Sequence, residues 1–160
     1  MKTISLRYFI LAFGGTLTAL SSSTAEAQRA PAGGPAPCSL LNSARVSAAV
    51  GVTVGAAQPI ADTGCSWSAP HMMVTLSLWD GSAAGWGKIK TSLPGVSKTL
   101  VSGLGDDAIL TTMGPASGKQ FVTLSVKKGA TAYLFKVYGP TAAEQISMEK
   151  TLASDVLGKL

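Results

Sequence analysis

The stretch FVTLSVKKGATAYLFKVY, Phe121 to Tyr138, decides the fold because it reads as two alternating apolar and polar runs around a glycine turn. In the first arm Val122, Leu124 and Val126 are set against Thr123, Ser125 and Lys127, the period of two of a half-buried strand. The second arm, Thr131 to Tyr138, sets Tyr133, Phe135 and Val137 against Ala132, Leu134 and Lys136. Lys128-Gly129 lies between the arms, where a tight hairpin needs a residue that tolerates positive φ. A lone hairpin is marginally stable, so this one requires further strands and a helix over its apolar face.

Downstream, Thr141-Ala142-Ala143-Glu144 is a capping box, and Ile146, Ala153, Val156, Leu157 and Leu160 give a last helix an apolar side that covers the sheet. Upstream, VSGLGDDAILTTM (Val101 to Met113) breaks at Gly103, Gly105, Asp106 and Asp107. Adjacent acids after glycines suggest calcium or phosphate. A calcium loop needs several more oxygen ligands, however, and a phosphate loop needs a lysine and a following helix, so a turn feeding a strand is the expectation. Thr53 to Pro59, Thr63 to Ala69 and Met73 to Trp79 read as short strands between turn formers such as Asp62, Gly64 and Pro70. Asp80 or Ser82 could cap a helix running through Trp86, Ile89 and Leu93 to Pro94, weakened by Gly85 and Gly87. A further short helix takes Asn42 as cap, Leu41 and Val46 as a hydrophobic staple and Gly51 as terminator. The string VTLSLWDG (Val74 to Gly81) is echoed by VTLSVKKG (Val122 to Gly129), which duplication or a shared strand environment would explain. These elements predict an α+β domain with one antiparallel sheet of about six or seven strands, two or three covering helices and one disulfide.

At the start, Met1 to Ala27 has the parts of a secretory signal: Lys2 and Arg7, an apolar run from Tyr8 to Leu20, and small residues ending Ala25-Glu26-Ala27. The apolar run is shorter than the roughly 20 residues that span a bilayer, so a cleaved signal is expected rather than a membrane anchor. Gln28 to Pro37, rich in Pro, Gly and Ala, reads as a disordered leader, and residues 38–160 as a single domain. Cleavage removes two of the 13 basic and one of the 8 acidic residues, leaving a formal charge of +4. The charges are scattered, which speaks for solubility and attraction to anionic envelope polymers and against nucleic-acid binding. In an oxidising compartment the two cysteines, Cys38 and Cys65, are expected to pair, closing a loop worth roughly 3.5 kcal/mol in the chain-entropy model.

For chemistry the sequence offers little. His71 is the single histidine, no serine or acid is spaced with it as a catalytic set, and paired carboxylates are scarce, so a small hydrolase-type enzyme is the weaker alternative and no cofactor is expected. His71-Met72-Met73, with Met113 or Met148, would suit soft-metal (copper) binding, a second alternative that these residues supply only in part. The favoured reading is a non-catalytic secreted or periplasmic binding module for an envelope component or protein partner. Trp67, Trp79 and Trp86 are its candidate contacts, because Trp79 lies opposite Val74, Leu76 and Leu78 and would be displayed unless a helix covers that face.

The order Cys38-Ser39-Leu40-Leu41, an alanine-rich helix ending at Gly51, Gly64-Cys65-Ser66-Trp67, Gly103-Leu104-Gly105-Asp106-Asp107-Ala108 and a closing amphipathic helix resembles small secreted or lipid-anchored bacterial proteins grouped as domains of unknown function. The resemblance covers nearly all of residues 38–160 and implies an α+β fold with an antiparallel sheet and an unassigned activity. It transfers no catalytic residue. Cys38 follows Pro35-Ala36-Pro37 rather than a lipobox, a departure that argues against lipidation. Intact-mass measurement of the exported chain is expected to show a start at Gln28 and no free thiol under non-reducing denaturation. Two free thiols would exclude the disulfide in the exported form.

Overall fold

The computed structural model describes residues 35–91, 94–115 and 119–160. The expected signal (1–27) and most of the expected leader (28–34) lie outside the described residues. Seven strands form one antiparallel sheet among the described residues: β1 (Gln58–Ile60), β2 (Gly64–Ala69), β3 (Met72–Asp80), β4 (Val96–Leu100), β5 (Asp107–Met113), β6 (Phe121–Lys128) and β7 (Thr131–Tyr138). Their spatial order is β1-β2-β3-β7-β6-β5-β4. Two three-strand meanders thus flank β7, the last strand in sequence, and the expected hairpin occupies the middle of the sheet. Its turn is Gly129-Ala130, one residue later than the sequence suggested, with Gly129 at φ 59°.

Register explains the echoed strings. Leu76 on β3 and Leu124 on β6 both pair with Phe135, and Val74 pairs with Val137 in line with Val122. The two strings sit on opposite sides of β7 at the same height, so the same alternation is required of both: Val and Leu toward the core, Thr and Ser toward the other face. A shared environment is enough to account for the likeness.

Four helices lie among the described residues: α1 (Pro37–Leu40), α2 (Ser43–Val50), α3 (Ala83–Lys90) and α4 (Ala142–Leu157). Helix α4 lies over β6 and β7, α2 packs on α4, and α1 packs on β1 to β3. Between this layer and the sheet are Leu41, Val46, Trp67, Val74, Leu76, Leu124, Phe135, Val137, Leu152 and Val156, all essentially inaccessible. Asn42 accepts from Arg45 N and Gly51 closes α2 in the left-handed conformation, as the sequence predicts. The Cys38–Cys65 disulfide is formed and fastens α1 to β2. The capping box at Thr141 and Glu144 is complete.

Several expectations require correction. Pro37, expected at the end of the leader, is buried and opens α1. The first strand is confined to Gln58–Ile60, because the preceding segment turns its polar groups to local partners: Val54 N donates to Ser47 Oγ and Gly55 N to the Ser68 carbonyl. Helix α3 is capped by Ser82 and ends at Lys90, while Leu93 lies outside the described residues. Gly85, read as a weakness of that helix, is what lets it descend onto the end of β3, since a Cβ there would collide with the Asp80 carbonyl. Leu160 is exposed beyond the end of α4.

Phe135→Ala is expected to destabilise by about 3–5 kcal/mol through lost burial and a cavity, Lys136→Ala to be nearly neutral, and Glu144→Ala to cost about 1 kcal/mol or less. Denaturant melts check all three, and a costly Lys136→Ala with a tolerated Phe135→Ala would contradict the register.

Candidate functional site

The two sheet faces differ. The face under α4 is the core. On the other face, α3 covers only one end: Trp86 and Ile89 pack on Trp79, Ile109, Ala132 and Leu134. Trp86 Nε1 donates to Asp107 Oδ2 at 2.8 Å, and Lys90 Nζ reaches the same oxygen at 2.6 Å. The Lys90 contact, and then the Trp86 hydrogen bond, hold the Asp107 carboxyl below the usual carboxylate range. Lys98, from β4, donates to the Ile89 and Thr91 carbonyls and closes the C-terminal end of α3.

This arrangement reassigns the tryptophans. Trp67 is fully buried in the main core, on the α4 side, and its Nε1 has no hydrogen-bond partner. Trp86 is 5% exposed, and Trp79 is half-buried against it. The three indoles are not brought together as a display surface, because Trp67 faces the opposite side of the sheet and α3 covers the face that Trp79 shares.

The soft-metal set is likewise dispersed. His71 is exposed in the Pro70-His71 turn with φ 61°, Met72 turns to the core, and Met73 turns to the open face. Met113 shares the face of Met73 but lies three strands away, about 14 Å across the sheet. Among the described residues no group of three or more His, Cys, Asp or Glu is placed to hold a metal ion. The Gly-Leu-Gly-Asp-Asp segment acts as a clasp: Asp106 accepts from Gly129 N at 2.7 Å, which ties the segment to the β6–β7 turn, and Asp107 anchors α3.

At the end that α3 leaves bare, a row of side chains crosses five strands: Met73 on β3, Tyr138 on β7, Phe121 on β6, Met113 on β5 and Val96 on β4. Met73, Phe121 and Met113 are 39%, 42% and 41% exposed. Phe121 and Tyr138 meet edge to face with ring centroids 6.4 Å apart, and Lys119 Nζ lies 5.8 Å from the Phe121 ring centre. The next row inward holds Thr75, Lys136, Thr123, Thr111 and Lys98. Beside the apolar row is a depression lined by Lys119, Gln120, Gly139, Pro140, Thr141 and Ala142. Gly139 is required there, at φ 115°, because a Cβ would collide with the His71 carbonyl.

Sequence reading missed both this row and what supports it from below. The β6–β7 ladder runs from Lys128–Thr131 only to Leu124–Phe135. Beyond it the amides that would complete the ladder turn to α4: Val122 N donates to Gln145 Oε1 and Val137 N to Glu149 Oε1, each at 3.0 Å. Gln145 Nε2 in turn donates to the carbonyls of Pro140 and Gln120. Counting back by fours from Ala153 reaches Glu149 and Gln145, so the buried stripe of α4 was legible as a period, although its polar members disguised it. Glu149 is fully buried, and its Oε2 has no partner. Burial pushes its carboxyl up to about 8, against the lowering effect of the Val137 and Leu124 amides and of Lys136. It is not placed as a catalytic acid, since solvent does not reach it.

No protein-family profile, no curated protein and no solved structure matches this chain. Among the described residues no helix is long and apolar enough to cross a membrane.

The Glu149 carboxyl makes stability pH-dependent. Its affinity for the proton is higher folded (about 8) than unfolded (4.5), so its contribution is complete below 4.5 and is lost as pH rises to 8. Chemical denaturation is expected to show wild type weakening across that window by on the order of 4 kcal/mol, whereas Glu149→Gln is flat there. A wild-type profile as flat as that of the variant would show that Glu149 is ionised in the fold.

Proposed function

We propose that this chain is an exported, non-catalytic binding module, and that it engages a cell-envelope component through the uncovered end of its open sheet face. The observation that carries the reading is the continuous row Met73, Tyr138, Phe121 and Met113, in which Tyr138 is half-buried between exposed neighbours, on a face whose other end is sealed by α3. Contiguous exposed apolar side chains rimmed by polar groups mark interaction surfaces, whereas singly scattered ones do not. Export rests on the signal-like first 27 residues, and the Cys38–Cys65 disulfide is compatible with it. The non-catalytic part rests on the dispersal of the chemistry-bearing groups: His71 sits alone in its turn, Glu149 is sealed from solvent, and Asp106 and Asp107 are engaged in structural contacts.

The test is retention of the processed chain by a washed envelope fraction of its host. Met113→Ser combined with Phe121→Ser is expected to abolish retention while the protein still unfolds cooperatively, its melting temperature lowered only by the loss of the Phe121–Tyr138 edge contact and of the covered part of the two side chains. Lys150→Gln, on the solvent side of α4, should be retained like wild type. Equal retention of all three proteins would place the binding surface elsewhere.

A further inference from the structure

We propose that the partner of this surface is an anionic lipid bilayer, onto which the row Met73–Tyr138–Phe121–Met113 docks at the level of the headgroups. The inference rests on the binding reading above and names its ligand class. Its first support is position. Met73 lies at the start of β3, Tyr138 at the end of β7, Phe121 at the start of β6 and Met113 at the end of β5, so the row forms one rim of the sheet.

Charge is the second support. Lys119 stands at the rim over Phe121, and Lys136 lies one row inward. No Asp or Glu occurs in either row, and Asp107, the acid that shares this face, is at the far end, held by Lys90 with Trp86. An apolar rim with one cation beside it, Lys119, and another a row behind it, Lys136, is complementary to acyl chains beneath anionic headgroups. Spacing agrees. Two residues along a strand separate the Tyr138 row from the Lys136 row, about 7 Å, within the depth of roughly 5–10 Å to which interfacial apolar faces sink below the headgroups.

A sugar polymer fits less well. Phe121 and Tyr138 are inclined at 61° in an edge-to-face pair, so they present no flat aromatic platform on which a pyranose ring could stack. Methionine, which flanks them on both sides, suits the irregular packing of lipid chains.

The experiment is co-sedimentation of the processed chain, as recovered from the exporting cell, with phosphatidylcholine vesicles that contain about 30 mol% phosphatidylglycerol or none. Binding is expected on the anionic vesicles, falling about tenfold or more for Met113→Ser/Phe121→Ser. Lys119→Gln/Lys136→Gln should remove the preference for anionic over neutral vesicles and melt like wild type, and Met113→Ser/Phe121→Ser should still unfold cooperatively, its melting temperature lowered only by the loss of the Phe121–Tyr138 contact. No binding to anionic vesicles, or binding that neither double variant alters, overturns the inference. If polygalacturonate binds in a Phe121-dependent way while vesicles do not, the bilayer is excluded but the surface stands. If envelope retention is also indifferent to Phe121, both readings fall.

Discussion

The arrangement on which the rest of this structure depends is the insertion of two polar side chains of α4 into the parting between β6 and β7. A sheet of seven strands centred on a hairpin would ordinarily zip along its full length. Here it zips over the turn half and then opens, and Gln145 and Glu149 take the amides of Val122 and Val137 that the ladder would have used. A buried amide without a partner costs about 1–3 kcal/mol, so these two side chains turn what would be a defect into a joint between helix and sheet. The neutral form of Glu149 is favoured there because the carboxyl has given up water and gained no counter-charge in contact.

From that joint follows the character of the opposite face. Phe121 and Tyr138 stand at the parted ends, and their rings close on each other where backbone pairing is absent. With Met73 and Met113 in line, they make the rim that α3 leaves bare. The other end of the same face is fixed by the Trp86–Asp107–Lys90 cluster and by Lys98 beneath the helix carbonyls. One face thus has a sealed end and an exposed end, and the sealed end holds the indole that sequence alone would have put on display.

Much of the scaffold was legible because it is written in local periods. The alternation of Phe121 to Tyr138, the caps at Asn42 and Thr141, and the pair Cys38 and Cys65 each express one short-range rule, and each is met. The site was much less legible. Trp67 and Trp79 differ by an even number, yet they lie on different strands and face opposite sides, which only the register of β2 against β3 decides. The exposed row joins residues as far apart as Met73 and Tyr138, and no local pattern links them. Gln145 and Glu149 were hidden for another reason: a polar residue on a buried stripe looks like a break in the stripe until its partner on another element is known.

Site-resolved amide hydrogen exchange of Val122 and Val137 tests the central claim, that α4 replaces the missing half of the β6–β7 ladder, most directly. Both amides are expected to be strongly protected in the wild-type protein. Gln145→Ala should release Val122, and Glu149→Ala should release Val137, while Tyr133 and Phe135 stay protected within the intact half of the hairpin. Protection of Val122 and Val137 that survives both substitutions would mean that the strands pair with each other to their ends, and would contradict the account.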